Sequence, residues 1–179
     1  MFLTFLEERI TMSSEALAGL HQALNALNQL KTSITQQATR LASELTIAAK
    51  LIKDQKQKQI LDELGESIKE AHDLCWEAYD YADTLTKFLD YYVEHPEERE
   101  ALIKQKLKLD KRAIEDAIID FSVDIDDAAE LINFYVDKFE DMLGEESAKD
   151  INNYVVTLYK FRGALIMFAG EVHKILFKL

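Results

Sequence analysis

The sequence is poor in the residues that usually interrupt or cross-link a chain. Its 179 residues include one cysteine, one proline, five glycines and one tryptophan. With Cys75 alone, no disulfide can form within the chain, so a disulfide-stabilised fold is excluded. The scarcity of proline and glycine predicts long helices joined by short turns.

Long apolar runs are also absent. No segment approaches the roughly 18 uninterrupted apolar residues of a membrane-spanning helix. The apolar start, Met1 to Leu6, is followed at once by charged residues, which is too early for a signal peptide. We therefore expect a protein with no signal peptide and no transmembrane helix, which is cytoplasmic or, as the alternative, exported without a classical signal.

Charge is unevenly distributed along the chain. The formal net charge of −12 disfavours a phosphate backbone as partner, because such binding depends on basic side chains that neutralise phosphates. We expect no nucleic-acid partner. Most acidic residues lie between positions 57 and 150, whereas residues 151–179 contain four basic residues and one acidic residue, Glu171. The last segment is therefore the basic, apolar part of an acidic protein.

Residues 151–179 predict one amphipathic helix with an unusually wide apolar side. Leucine or valine recurs every seven residues, and an aromatic row lies one step round the helix. Because only a narrow polar stripe remains, neighbouring helices must cover most of this helix. We predict that five of its side chains are buried: Leu158, Leu165, Phe168, Val172 and Leu176. Gly163 and Gly170 predict a close approach of a neighbouring backbone.

The first predicted helix is the longest. Two apolar rows in heptad register extend from Leu3 to Ile52, with exceptions at Ser13 and Lys31. Because the register continues through both exceptions, we predict one continuous or slightly kinked helix. The wholly polar residues 53–59 predict the first turn.

The second helix is predicted from Ile60 to Glu94, where apolar residues recur three and four apart. Pro96 then favours the first position of a new helix. Residues 101–111 are less regular, and we interpret them as a separate short helix.

The third long helix is predicted from Ile114 to Met142, and Gly144 is its stop signal. Ser147 with Asp150 three residues later resembles a capping box. We therefore predict that the last helix begins at this pair.

Four long amphipathic helices with short polar turns predict an all-α fold. The expected arrangement is an elongated, antiparallel, up-down-up-down four-helix bundle, with coiled-coil-like packing because the heptads are sustained. No segment alternates in the way that predicts a strand. We assign residues 1–179 to a single helical-bundle domain.

The patterns that bring catalytic or metal-binding side chains together in bundles are missing. None of the four histidines follows a glutamate by three positions, as di-iron bundles require. A glycine-rich phosphate loop is absent. Cys75 lies three residues from His72 on one helix, but a core thiol beside a half-buried histidine is far commoner than a catalytic pair. We expect no enzymatic activity, no catalytic residue, no metal and no cofactor.

The main polar feature is a row of acidic residues on the second helix, three and four apart, beside aromatic side chains. Such a row either faces solvent or attracts a basic partner or a divalent cation. Exposed tryptophan and tyrosine are frequent anchors of protein interfaces. The candidate interaction residues are Glu66, Glu70, Asp73, Trp76, Glu77, Tyr79 and Asp80.

These features favour a non-enzymatic helical-bundle protein in protein–protein interaction, as an adaptor, regulatory or self-assembling module. The expected partner is another protein, with a basic protein as one option, or a second copy of the chain. One alternative is a membrane-active bundle of the pore-forming or cell-death kind, with membrane contact through residues 151–179 and the apolar start. The acidic body disfavours it. Another is a ligand or metal carrier that uses the bundle interior or the acidic rows.

Overall fold

The computed structural model describes residues 2–107 and 110–179, and every regular element in these ranges is helical. The helices are α1 (Phe2–Leu51), α2 (Gln55–Glu94), α3 (Arg99–Leu102), α4 (Lys111–Leu143) and α5 (Glu145–Lys178). A 3₁₀ turn at Pro96–Glu98 and a π-helical turn at Ile103–Leu107 flank α3. The all-α prediction is confirmed. There are five helices rather than four, because the irregular segment before α4 contributes the short α3.

The turn between α1 and α2 is shorter than predicted. α1 is one continuous helix, as predicted, but α2 begins at Gln55, inside the predicted turn at 53–59. The carboxylate of Asp54 accepts hydrogen bonds from the backbone nitrogens of Lys56 (2.8 Å) and Gln57 (3.4 Å). This N-cap satisfies donors of the first helical turn, so the polar run forms the start of α2 instead of a loop.

Arg99 holds the end of α2 in place. Glu94 is the last residue of α2, as predicted, and Pro96 begins the 3₁₀ turn. The Arg99 guanidinium donates to the carbonyl oxygens of Tyr92 (2.9 Å) and Val93 (3.0 Å). A cation at this position also compensates the negative end of the helix dipole.

The short helix predicted within residues 101–111 corresponds to α3 and the π-helical turn. Positions 108 and 109 of that prediction lie outside the described residues, as does Met1. α4 begins after Asp110, whose carboxylate accepts a hydrogen bond from the backbone nitrogen of Ala113 (2.7 Å). Asp110 is therefore the N-cap of α4.

A single residue, Gly144, joins α4 to α5. Its φ of 82° lies in the region that favours glycine, and the predicted helix stop is confirmed. The predicted start of α5 at Ser147 and Asp150 is wrong, because α5 begins at Glu145. Gly144 makes the whole turn, which leaves Glu145 and Glu146 in the first turn of α5, where the helix dipole favours negative charge.

The long helices contact one another in a ring, in which α1 and α4 each pack against both α2 and α5. In the side-chain contacts between neighbouring helices, the residue number falls on one helix as it rises on the other. Examples are Thr35–Trp76 and His21–Asp90 between α1 and α2, and Asp126–Arg162 and Glu115–His173 between α4 and α5. Buried apolar residues of all four long helices form one core.

The beginning of α1 is the part of the ring that is least covered. Leu3 and Ile10 belong to the apolar rows of α1, yet they are 74% and 69% exposed. Farther along α1 these rows reach the core, with exposures of 1% or less at Leu20, Leu27, Ile34 and Leu41. The heptad pattern of α1 therefore extends beyond the part of the helix that the other helices cover.

α5 is the most deeply packed helix. The five side chains predicted to be buried are confirmed, with exposures of 2% or less. Gly163 and Gly170 behave differently, since both are exposed and a Cβ at either would have no described atom within 4 Å other than its chain neighbours and the backbone of α5 itself. The predicted close approach of a backbone within the chain is wrong, because both glycines lie on the outward stripe of α5.

Truncation of a core residue of α5 tests this packing. We expect Leu165→Ala to lower the free energy of unfolding by about 2–5 kcal/mol, because it removes a fully buried side chain and leaves a cavity. Urea unfolding measures the loss. Val156→Ala, at a half-exposed position of the same helix, is the control and should cost far less. Equal losses for the two variants would contradict the assigned core.

Candidate functional site

A groove of about 970 Å³ lies between the second half of α1 and the first half of α2. Its floor is formed by apolar side chains of both helices: Leu45, Leu61 and Ile68. Space above this floor comes from small residues, namely Ala38, Ala42 and Ala49 on α1 and Gly65 on α2. The groove is therefore a direct consequence of where this sequence places alanine and glycine.

Gly65 widens the groove without being required for helix packing. A Cβ at this position would lie 3.9 Å from Cδ1 of Leu45, which is an ordinary contact distance. Glycine inside a helix costs about 1 kcal/mol relative to alanine. The chain therefore carries that cost at a position where a side chain would fit and would partly fill the groove.

A polar and aromatic cluster lies beside the end of the groove that His72 lines. The indole nitrogen of Trp76 donates to the hydroxyl of Thr35 (2.8 Å), and Nε2 of His72 lies 3.2 Å from the same hydroxyl. The Lys31 ammonium lies over the rings of Trp76 and Tyr79, 4.2 Å and 4.0 Å from their centres. Cation–π attraction of this kind explains why a lysine occupies an apolar row of α1.

The candidate interaction residues fall into two groups. The acidic ones are all exposed along α2: Glu66, Glu70, Asp73, Glu77 and Asp80. Of these, Glu66 and Asp73 line the groove and the others lie outside it. Trp76 and Tyr79 are not free anchors, because Lys31 and Thr35 of α1 hold them, although Trp76 remains 37% exposed.

Most of this acidic row has no compensating charge. Within residues 2–107 and 110–179, no ion pair is found for Glu66, Glu70, Glu77 or Asp80, whereas Asp73 lies 3.0 Å from Nδ1 of His72. Carboxylates three and four residues apart on one helix repel each other by a few tenths of a kcal/mol. The outer side of α2 therefore has a negative potential that favours cationic groups.

The rim of the groove itself carries both signs. Its basic members are Lys50, Lys58 and Lys69, and its acidic members are Asp62, Glu66 and Asp73. A ligand in the groove thus contacts an apolar floor and a mixed rim, and the rest of the acidic row of α2 lies beside that rim.

One group of carboxylates has the spacing of a cation site. In the described part of the chain, oxygen atoms of Asp126, Asp127 and Glu130 lie within 4.8 Å of one another. Asp127 and Glu130 are exposed, and Asp126 is 3.5 Å from Nη1 of Arg162. Arg162 therefore already compensates the charge of one of the three carboxylates.

The buried thiol and the buried phenol are both held in their neutral forms. Cys75 is fully buried, as predicted, and burial raises the pKa of its thiol far above the usual range. Burial likewise raises the pKa of Tyr154, whose hydroxyl donates to the carbonyl oxygen of Ile68 (2.8 Å). Neither group is positioned to act as a nucleophile, because the thiolate or phenolate would be buried without a compensating charge.

A second cluster joins α1 to α5. The Arg40 guanidinium lies 3.2 Å from a carboxylate oxygen of Glu44 and 3.2 Å from one of Asp150. Burial is the main cause that raises the pKa of Glu44, and the adjacent Asp150 raises it further, while Arg40 offsets only part of this. Arg40 thus links α1 to α5 through ion pairs. The carboxyl groups of Glu44 and Asp150 lie close together in this cluster, which disfavours their charged forms.

No protein-family model matches this chain, and no curated protein or solved structure is significantly similar to it. In the ranges that the structure describes, none of the helices combines the length and the apolar character that crossing a bilayer requires.

The groove was not identified from the sequence. Its available signal was the spacing of Ala38, Ala42 and Ala49 on α1 and the position of Gly65 beside the apolar row of α2. Small residues of this kind are also common where two helices pack closely. Only the relative placement of the two helices distinguishes a close contact from an open groove.

The Glu44 cluster predicts a dependence of stability on pH. Because folding raises the pKa of Glu44, the folded protein binds this proton more tightly than the unfolded chain does. The associated stability is complete below the unfolded pKa and is lost as the pH rises through the folded pKa. Glu44→Gln cannot ionise, so we expect it to stabilise the protein at neutral pH and to lose that advantage below about pH 4.

Urea unfolding at both pH values measures this difference, and Glu66→Gln, on the exposed side of α2, is the control. A Glu44→Gln variant that is less stable than the original protein at neutral pH would show that the ion pair with Arg40 outweighs desolvation.

Proposed function

We propose that this chain is a non-enzymatic protein-interaction module whose α1/α2 groove receives an amphipathic helix of a partner protein. The observation that carries this proposal is the groove, which has an apolar floor between two exposed helices. Recognition of this type seats the apolar face of a helix between two helices of the receptor. The proposed setting is cytoplasmic.

The proposed framework is a single antiparallel, up-down-up-down four-helix bundle with coiled-coil-like packing, built from α1, α2, α4 and α5. Support comes from the contact pairs, in which rising residue numbers on one helix meet falling numbers on its neighbour. Between α1 and α2 these pairs are Thr35–Trp76 and His21–Asp90. Heptad rows in α1 and α5 support the packing mode.

A partner helix suits the dimensions of the groove. The lining residues span positions 38–50 of α1 and 58–73 of α2, which corresponds to about 20 Å of helix at 1.5 Å per residue. A partner helix of about four turns fills that length. Large apolar side chains spaced three and four residues apart would rest on the floor, where Gly65 and Ala42 leave room.

The charge of the proposed partner follows from the acidic row of α2. A helix seated in the groove presents one flank to Glu66 and Asp73, and its adjacent surface to Glu70 and Glu77. Lysine or arginine on that flank would compensate carboxylates that repel one another in the free protein. The partner is therefore proposed to be basic on the side that faces α2.

The proposal of a non-enzymatic role is supported by the state of the reactive side chains. Cys75 is enclosed in the core, and the row of carboxylates on α2 is exposed to water. Catalytic acids and nucleophiles usually have a partly enclosed site that shifts their pKa toward the working pH. The groove has the character of a docking surface.

A synthetic helix tests the proposal directly. The probe is a leucine/lysine peptide of about four turns, with leucines three and four residues apart, and a leucine/glutamate peptide is its counterpart. Trp76, the only tryptophan, lies at the end of the groove and reports binding through its fluorescence. We expect the lysine peptide to bind and the glutamate peptide to bind at least about tenfold more weakly, because the acidic row repels it.

Two matched pairs of variants locate the binding. Ala42→Arg places a cation in the groove and should weaken binding, whereas Ala18→Arg, at another exposed alanine of α1, should not. Glu66→Gln with Asp73→Asn should weaken binding, whereas Asp137→Asn with Asp141→Asn makes the same change of charge on α4. Equal effects within each pair would mean that only net charge attracts the peptide, and the groove proposal would fail.

A second candidate function, a membrane-active bundle, is favoured by one observation. The start of α1 exposes Leu3, Phe5 and Ile10 on a segment that the core does not cover. The apolar rows of α5 favour it less, because they are buried within the chain.

Flotation with anionic lipid vesicles tests the membrane candidate. If it holds, the protein floats with the vesicles, and Leu3→Ser with Ile10→Ser releases it, since these changes remove the exposed apolar area. Protein that stays at the bottom of the gradient, while the lysine peptide still binds the groove, would exclude this candidate alone.

A further inference from the structure

An exposed apolar patch crosses the seam between α4 and α5. Ile119 and Val123 of α4 are 42% and 51% exposed, and Ile166 of α5 is 48% exposed. Gly163 and Gly170 border Ile166, and, apart from the chain neighbours and the backbone of α5 itself, no described atom would lie within 4 Å of a Cβ at either glycine. The patch thus combines protruding apolar side chains with depressions at the two glycines. Side chains that protrude from another surface would fit into these depressions.

The ion pairs between α4 and α5 fix which face carries this patch. There are two of them: Asp126–Arg162 (3.5 Å) and Glu115–His173 (3.2 Å). Ile119 lies four residues after Glu115 and seven before Asp126. Ile166 lies four residues after Arg162 and seven before His173. Such spacings return to the same side of a helix, so both isoleucines lie along the seam, between the two ion pairs.

Because the turn between α4 and α5 is a single residue, the height of a residue along the seam is its distance from Gly144 along the helix. Residues that lie the same number of positions before and after Gly144 are at the same height, and both ion pairs obey this rule. By the same rule Lys160 is level with Asp127 to within one residue, and Lys174 is level with Asp116 to within two.

Charges beside the patch are separated by helix. The exposed lysines Lys160 and Lys174 are on α5, and the exposed acids Asp116, Asp120 and Asp127 are on α4. Lys174 lies 3.1 Å from a carboxylate oxygen of Glu171 on its own helix. Lys160 has no ion-pair partner among the described residues. One side of the patch is therefore basic and the other side is acidic.

We propose that this face binds a second copy of the chain about a two-fold axis parallel to the helices. That symmetry places α4 of each copy opposite α5 of the other without changing the heights. Lys160 then faces the partner's Asp127, and Lys174 faces the partner's Asp116, while the apolar patches meet at the centre. Both contacts occur twice, because a two-fold interface is self-complementary.

The charges also select this symmetry over its alternative. A two-fold axis perpendicular to the helices would place α4 against α4 and bring acidic side chains together, which is unfavourable. The face lies on α4 and α5, away from the α1/α2 groove, so the dimer stands whether or not the groove receives a partner.

Charge reversal in the full-length chain tests the arrangement. Lys160→Glu and Asp127→Lys should each weaken the dimer by about tenfold or more, because each change acts at two symmetric contacts. Mixing the two variants should restore the dimer. In the mixed dimer, the two substituted positions face each other at one contact with reversed polarity, and the other contact keeps its native lysine and aspartate. Sedimentation equilibrium measures the dissociation constants of each variant and of the mixture.

The apolar centre has its own pair of variants. Ile166→Glu should abolish the dimer, whereas Ile47→Glu, at an exposed position of α1, should leave it unchanged. Circular dichroism and urea unfolding confirm that each variant is folded. A chain that is monomeric at all concentrations, a dimer that survives Ile166→Glu, or a mixture that fails to restore association would each overturn the proposal.

Discussion

The burial of α5 is the constraint on which the rest of the structure depends. Its two apolar rows are too wide for one neighbour, so α1 and α4 pack on either side of it and α2 lies across the core. The buried hydroxyl of Tyr154 reaches the carbonyl oxygen of Ile68 and thereby links α5 to α2. An unpaired buried hydroxyl costs about 1–3 kcal/mol, so this hydrogen bond favours one register of the two helices.

The ends of the helices are fixed by a few polar side chains. Asp54 and Asp110 cap the starts of α2 and α4. At the end of α5, Lys111 donates to the carbonyl oxygen of Leu176 (2.8 Å), and Arg99 donates to that of Leu179 (3.3 Å). These cations satisfy carbonyl groups that have no partner within α5 and compensate its dipole. Arg99 and Lys111 thus stabilise the fold, whereas the exposed lysines of α5 itself have the proposed role in association.

Two surfaces with different properties follow from the same packing. Between α1 and α2, alanine and glycine leave a groove with an apolar floor, and the exposed acidic row of α2 lies along one side of it. Between α4 and α5, exposed isoleucine and valine lie between a basic and an acidic border. The two surfaces belong to different pairs of helices, so a chain that docks a basic helix at one seam and its own copy at the other would present two such grooves per dimer. An interaction module needs this kind of bivalence to gain avidity.

The sequence by itself determined the helical class, the continuity of α1 and the buried rows of α5. It also determined the end of α2 at Glu94 and the stop at Gly144. These features depend on heptad spacing, proline and glycine, which act within a few residues of the chain. It also indicated the exposed acidic row of α2. It did not determine where the next helix starts after Asp54 and Gly144. The Asp54 carboxylate caps α2 inside the polar run that predicted a longer turn, and the positive φ of Gly144 completes a turn before the predicted capping box. Lys31 interrupts an apolar row for a reason that only Trp76 and Tyr79, on another helix, supply. Small residues likewise have different outcomes at different places: Gly65 with Ala42 forms a groove, whereas Gly163 and Gly170 face outward. The separation and rotation of packed helices decide between these outcomes, and they depend on the whole core rather than on the spacing of small residues along one helix.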